Sequence, residues 1–314
     1  MSDVDFCGIA LAHPIVNGSG TFDAIAARRA FGDSLLERFP FSAFVSKTIT
    51  LAPRDGNPPP RLWEAQSGLI NSIGLPNRGL QGYLEHDLPQ LAALGVPLIT
   101  NVMGSTSDEV AQLVEAIGER EEVAAIELNV SCPNVRTGLD IGADPVSLAA
   151  LVRAVRPLTA KVLIVKLTPN TADVAAVAVA AEAEGADAVS LVNTLRATAF
   201  TPRSGGRPWL GGVTGGLSGP AIRAVALSQV AAVARRVRIP IVGMGGVTHG
   251  THAGDLLFAG AHIVAVGTES FRDPAAGARI AQELKSLQIA GRRSMRVNES
   301  EAQVEVDPNL ADSN

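Results

Sequence analysis

Short runs of β-branched and apolar residues recur along the chain, and most are followed by a stretch whose apolar positions repeat with helical spacing. Eight runs stand out: 13–17 (HPIVN), 43–47 (AFVSK), 97–101 (PLITN), 125–129 (AIELN), 162–166 (VLIVK), 188–193 (AVSLVN), 239–243 (IPIVG) and 262–267 (HIVAVG). Runs apolar at successive positions read as strands buried on both faces. The intervening pattern predicts helices over 106–118, 144–155, 171–185, 219–236, 251–259 and 273–287. Ser107 and Asp108 are capping candidates for the first of these. Asp144-Pro145 is a start signal for the second, Gly185 a stop for the third, and Ser218-Gly219-Pro220 opens the fourth. Strands alternating with helices predict a parallel sheet covered by helices, and eight such units predict an α/β fold closed as a single (β/α)8 TIM barrel.

The length supports that reading. The chain has 314 residues, and one such barrel takes about 250 plus insertions. Residues 1–290 are expected to form the barrel, with long loops after the second, fourth and sixth strands. The polar residues 291–314 are expected to be a mobile C-terminal tail. Loops 48–79 and 195–217 are rich in Gly, Pro and Arg, and loops of that length are usually functional. The charged fraction is 18%, below the roughly 25% usual for soluble proteins, which excludes a mainly disordered chain. A net charge of −5 without basic clusters argues against nucleic-acid binding. No apolar run reaches the length of a membrane span, and the N-terminus lacks a basic signal-peptide region. Cys7 and Cys132 form neither a CxxC nor a metal spacing, so a reducing, cytoplasmic location is expected.

Barrels of this kind build their sites where the strands end. The residues at those ends are Ser19-Gly20, Lys47, Asn101, Asn129 running on to Cys132 and Asn134, Lys166, Asn193-Thr194, Gly243–Gly246 and Gly267-Thr268. Amides suit a planar molecule with alternating donors and acceptors, and lysines suit negative charge on it. Gly245, Gly246 and Gly267, after the seventh and eighth strands, suit a phosphate approached by backbone N–H groups. Ordinary tight turns would use the same glycines, and a lone Asn is usually a cap. Amides at several successive strand ends are harder to dismiss. Cys132 lies past a strand in a Pro-containing loop. None of the five histidines is at a strand end, so a thiolate acting as general base fits better than a His-activated nucleophile. Cys7 reads as packing. His249 and His252 have i, i+3 spacing but no accompanying carboxylate or thiol at ligand spacing, so no metal site is expected. The chain has no P-loop and no dinucleotide fingerprint.

Taken together, the segments 17–22 (NGSGTF), 46–48 (SKT), 53–58 (PRDGNP) with Pro60-Arg61, 71–77 (NSIGLPN), 127–134 (ELNVSCPN), 165–170 (VKLTPN), 192–194 (VNT), 214–220 (TGGLSGP), 243–246 (GMGG) and 266–268 (VGT) occur in order. In these the chain resembles the soluble class 1 dihydroorotate dehydrogenases, most of all the catalytic subunit of the NAD-linked class 1B. The resemblance implies one FMN per chain and oxidation of dihydroorotate to orotate in pyrimidine synthesis. It implies that Cys132 takes the C5 proton while hydride leaves C6 for the flavin. It places Lys47, Asn71, Ser72, Ile73, Gly74, Leu75, Asn129, Asn134, Asn193 and Thr194 around the substrate. It places Ser19, Gly20, Lys47, Thr48, Asn101, Asn129, Lys166, Val192 and Gly219 along the flavin, and Gly245, Gly246, Gly267 and Thr268 at its phosphate. It implies a lid over 133–143, a homodimer, and a separate electron-transfer subunit carrying FAD and [2Fe–2S]. Two positions are this chain's own: Asp23, where the family commonly has glycine, and the segment 196–200 (RATAF). The alternatives are a flavin barrel acting on another dihydropyrimidine, the fumarate-using class 1A variant, a flavin-free barrel with a phosphate substrate, and a non-catalytic binding protein.

Overall fold

The computed structural model describes residues 4–130, 141–202 and 205–287. In chain order its strands are β1 (Val4–Phe6), β2 (Ile9–Leu11), β3 (Ile15–Asn17), β4 (Phe44–Val45), β5 (Leu62–Ala65), β6 (Gly68–Asn71), β7 (Leu98–Val102), β8 (Val123–Asn129), β9 (Val162–Lys166), β10 (Ala188–Leu191), β11 (Leu195–Ala197), β12 (Gly215–Ser218), β13 (Ile241–Met244) and β14 (Ile263–Val266). Eight of them, in the order β3-β14-β13-β10-β9-β8-β7-β4, form one parallel sheet. These are the eight predicted strands. The sheet curls into the TIM barrel, and its seam lies between β3 and β4.

The seam is closed largely by a side chain. Asn17 Nδ2 donates to the Val45 carbonyl at 2.8 Å, and Val45 N–H donates to Asn17 Oδ1 at 2.8 Å. The amide of Asn17 thus stands in for a peptide unit where β4, two residues long, is too short for a full ladder. Strand residues alternate between the two faces of the sheet. One set (Val16, Val45, Ile99, Ala125, Ile164, Ala188, Val242 and Ile263) fills the barrel interior, with Phe6 and Leu11 of the β1–β2 hairpin packed in the same cluster. The other set packs outward against the helices.

The helices include α1 (Ala24–Phe31), α2 (Ser34–Glu37), α3 (Gly79–Gly82) and α4 (Leu88–Ala92), then α5 (Ser107–Gly118), α6 (Pro145–Val155), α7 (Val174–Ala183), α8 (Arg223–Ala234), α9 (Gly250–Phe258) and a final helix over 276–287. The cap of α5 is Thr106, which accepts from Glu109 N–H at 3.2 Å, and not Ser107 or Asp108. Asp144 caps α6 as expected. The predicted helix 219–236 is broken by a 3₁₀ turn, Pro220–Ile222, before α8 begins. A further helix, Ala24–Phe31, was not predicted. Asp23 caps it, accepting from Ala26 N–H at 2.9 Å, which gives that unusual residue a structural role.

The two long loops are more ordered than their composition suggests. Segments 48–79 and 195–217 contribute β5, β6, β11 and β12 to one antiparallel sheet, order β11-β12-β6-β5. Residues far apart in sequence are thereby joined at one end of the barrel.

Candidate active site

A cavity of about 860 Å³ opens where the parallel strands end, beside the antiparallel sheet. Its lining contains Ser19, Gly20, Lys47, Thr48, Asn71, Ile73, Gly74, Leu75, Asn129, Lys166, Val192, Asn193, Thr194, Gly219, Gly245, Gly246, Gly267 and Thr268. The sequence-expected strand ends therefore converge on one space.

The lysines come from strands three places apart in the barrel. Lys166 ends β9 level with Asn129 and is only 6% exposed. Lys47 follows β4 and stands open to the cavity. Loss of solvation lowers its pKa, while the carboxylates of Asp23 and Asp87 pull the other way. Neither ammonium makes an ion pair with a described carboxylate. A buried charge without a partner is costly, so this arrangement favours an anionic ligand. Asn129 Nδ2 donates to Thr48 Oγ1 at 3.2 Å, and Asn193 Oδ1 accepts from Thr194 N–H at 2.9 Å.

One layer below lies a buried carboxylate. Glu127, 3% exposed, accepts from Asn101 Nδ2 at 2.5 Å and from Ser190 Oγ at 2.7 Å. Asn101 pairs with Glu127 in the β7–β8 register, one inward position beneath Asn129. Its Oδ1 is buried without a hydrogen-bond partner.

Ser72 serves the sheet beside the cavity. It is fully buried, donates Oγ–H to the Thr214 carbonyl at 2.8 Å and accepts from Asn57 Nδ2 at 3.0 Å, so it ties the antiparallel sheet together. Asn71 does both jobs: it lines the cavity and donates to the Gly216 carbonyl at 3.2 Å. Gly74 has φ +76, and a Cβ there would meet Asn57 N at 2.4 Å, so only glycine fits this turn.

At the other end of the cavity, Thr268 Oγ–H donates to Ser218 Oγ at 2.8 Å. A Cβ built on Gly267 would have only Thr21 Cγ2 within 4 Å, at 3.6 Å, so this glycine leaves open space. Sequence reading missed Glu64, Gln66 and Ser67 of the β5–β6 hairpin, and Glu269 and Arg272 after β14, all of which line the cavity. Gln66-Ser67 lacks the Asn-Gly or Asp-Gly signal of a two-residue hairpin.

Cys132, Asn134 and most of the expected lid 133–143 lie outside the described residues, as does the tail 291–314. Asn129 lines the cavity, and Gly142 N–H donates to the Val130 carbonyl at 3.0 Å. Cys7 sits in the turn between β1 and β2, against the Asp187 carbonyl, and burial pushes its pKa up to about 11. His249 and His252 stack edge to face at 5.3 Å, and among the described residues no group of His, Cys, Asp and Glu could hold a metal. No helix of the described residues is long and apolar enough to cross a membrane.

Comparison with known proteins agrees with this geometry. The family model described as dihydroorotate dehydrogenase matches residues 1–287. The catalytic subunit of dihydroorotate dehydrogenase B (NAD(+)) from Pelobacter propionicus is 44% identical over 90% of this chain and 91% of its own length. The protein of the same name from Geobacter metallireducens is 43% identical over 91% and 92%. A protein of Solibacter usitatus, provisionally named dihydroorotate dehydrogenase A (fumarate), is also 43% identical, over 91% and 93%.

Proposed function

The chain belongs to the dihydroorotate dehydrogenase family, and on that premise we propose that it oxidises (S)-dihydroorotate to orotate with FMN held in the strand-end cavity. The observation that carries the reading is the pair Lys47 and Lys166, facing one cavity among amides and without an ion-pair partner among the described residues. The residues fit FMN in three respects. The ammonium groups suit its anionic charge. The glycine cradle at Gly245, Gly246 and Gly267 suits its phosphate. The orphaned Asn101 Oδ1 calls for an N–H donor from a group seated above it.

FMN, when bound, supplies the acceptor for the hydride that leaves substrate C6. The chain supplies the rest. Cys132 takes the proton from C5 as thiolate. Lys47 pairs with the substrate carboxylate, and Asn71, Asn129, Asn134, Asn193 and Thr194 hold the pyrimidine edges. Lys166 offsets negative charge on the flavin. Ser19, Gly20, Thr48, Val192 and Gly219 form its walls, and Gly245, Gly246, Gly267 and Thr268 hold the phosphate. Ile73, Gly74 and Leu75 cover the substrate from the antiparallel sheet.

The name of the first two relatives, a catalytic subunit of an NAD(+)-linked enzyme, supports a second subunit through which electrons reach NAD, and the resemblance in the ordered motifs implies that this subunit carries FAD and [2Fe–2S]. The absence of a dinucleotide fingerprint from the chain agrees. We place the complex in the cytoplasm, built on a homodimer of this chain. The Solibacter relative favours a second reading, with fumarate as acceptor. Steady-state assays of the purified chain separate them. Fumarate is expected not to sustain turnover, and NAD reduction is expected only with the partner present. Rapid fumarate reduction by the chain alone would select the second reading.

A further inference from the structure

The loops after β13 and β14 are tied together by one side chain that does not itself line the cavity. Arg279, on the helix over 276–287, donates from Nη1 to the Thr248 carbonyl at 3.0 Å and from Nη2 to Glu269 Oε1 at 3.0 Å. It also donates to Asp273 at 2.8 Å and to Glu283 at 3.1 Å. Thr248 and Glu269 both line the cavity, on the two loops that carry Gly245–Gly246 and Gly267–Thr268. Glu283 in turn accepts from Gly250 N–H at 2.6 Å and so fixes the start of α9. A guanidinium can hold four acceptors in fixed directions, which the single ammonium of lysine cannot reproduce. The Glu269 side chain is 14% exposed, and without Arg279 its charge would stand uncompensated beside any anion in the cradle.

We propose that Arg279 is the positioning residue of the phosphate subsite: it sets the two loops relative to one another, neutralises Glu269, and thereby makes the chain prefer FMN to riboflavin. This rests on the FMN reading above. The test uses flavin-stripped full-length protein and compares dissociation constants for FMN and for riboflavin, which differ only in the phosphate. Arg279→Gln is expected to weaken FMN binding 10- to 100-fold and to change riboflavin binding less than 3-fold. Arg279→Lys is expected to fall in between and guards against a Gln variant that does not fold. Adding Glu269→Gln to Arg279→Gln is expected to restore part of the FMN preference. An unchanged preference, or equal weakening of both flavins, would overturn the proposal while leaving the FMN reading intact. A parent protein that binds the two flavins equally would overturn the phosphate assignment and this inference with it.

Discussion

A buried lysine with no ion-pair partner among the described residues is hard to explain by packing, and in the proposed reaction it offsets the charge on the flavin. Lys166→Met should leave the barrel folded and lower the rate of flavin reduction by dihydroorotate about 10²–10³-fold, the usual loss for one electrostatic stabiliser. Stopped-flow absorbance under anaerobic conditions measures it. Cys132→Ala should lower the same rate by about 10²–10⁴-fold, as expected for loss of a general base, with FMN affinity unchanged. Cys132→Ser should remain slow at neutral pH and recover as pH rises. Lys47, Asn129, Lys166, Asn193 and Thr194 were legible in the sequence because each ends a strand, and strand ends in this architecture share one face of the molecule. For Asn101 and Ser72 the sequence left the surroundings of the side chain open. A linear pattern shows that a residue ends a strand or follows one, but not which layer it occupies. Glu127 draws Asn101 one layer down, and Asn57 and Thr214 draw Ser72 into the sheet.

Among the described strands, β4 is the shortest, and Lys47 follows it. Two residues of strand cannot hold a barrel edge, and the Asn17 amide supplies the missing bonds. Asn17→Ala should destabilise the fold by about 1–3 kcal/mol, since it leaves the Val45 N–H and carbonyl unpaired. It should also raise KM for dihydroorotate more than it lowers kcat. Thermal melts and steady-state kinetics give both readings. The helical stretch behind β4 makes a pH prediction. Tyr83 is fully buried and its hydroxyl bonds Thr100 Oγ1 at 2.8 Å, and burial pushes its pKa from 10.0 to about 12. The unfolded chain therefore loses this proton first. The stability from the neutral phenol is complete below pH 10 and is lost as pH rises towards 12. The loss approaches about 2–3 kcal/mol. Cys7, raised to about 11, acts in the same direction. Melting temperatures from pH 8 to 11 should fall, and less steeply in Tyr83→Phe. The eight parallel strands were legible from their apolar runs, whereas the antiparallel sheet was not. Its pairing joins residues 62–71 to 195–218, and neither local periodicity nor a turn signal reports a contact across that separation.

For the molecule as a whole, an interior packed with aliphatic side chains below a polar, lysine-bearing upper layer separates stability from chemistry. The apolar cluster around Val16, Ile99, Ile164 and Val242 carries no group that the proposed reaction uses. Cofactor binding should therefore add to stability without reshaping the barrel. FMN at 100 times its dissociation constant should stabilise the chain by about 2.7 kcal/mol, read as a rise in melting temperature. The resemblance in the ordered motifs had already indicated the family, because those motifs are the strand ends that the fold brings together. The most direct test of the central claim is anaerobic addition of dihydroorotate to the purified, FMN-loaded chain while its visible spectrum is followed. Rapid loss of the visible flavin absorbance, with one orotate formed per flavin reduced, is the expected result. A protein that binds FMN but keeps its full absorbance with dihydroorotate would contradict the account.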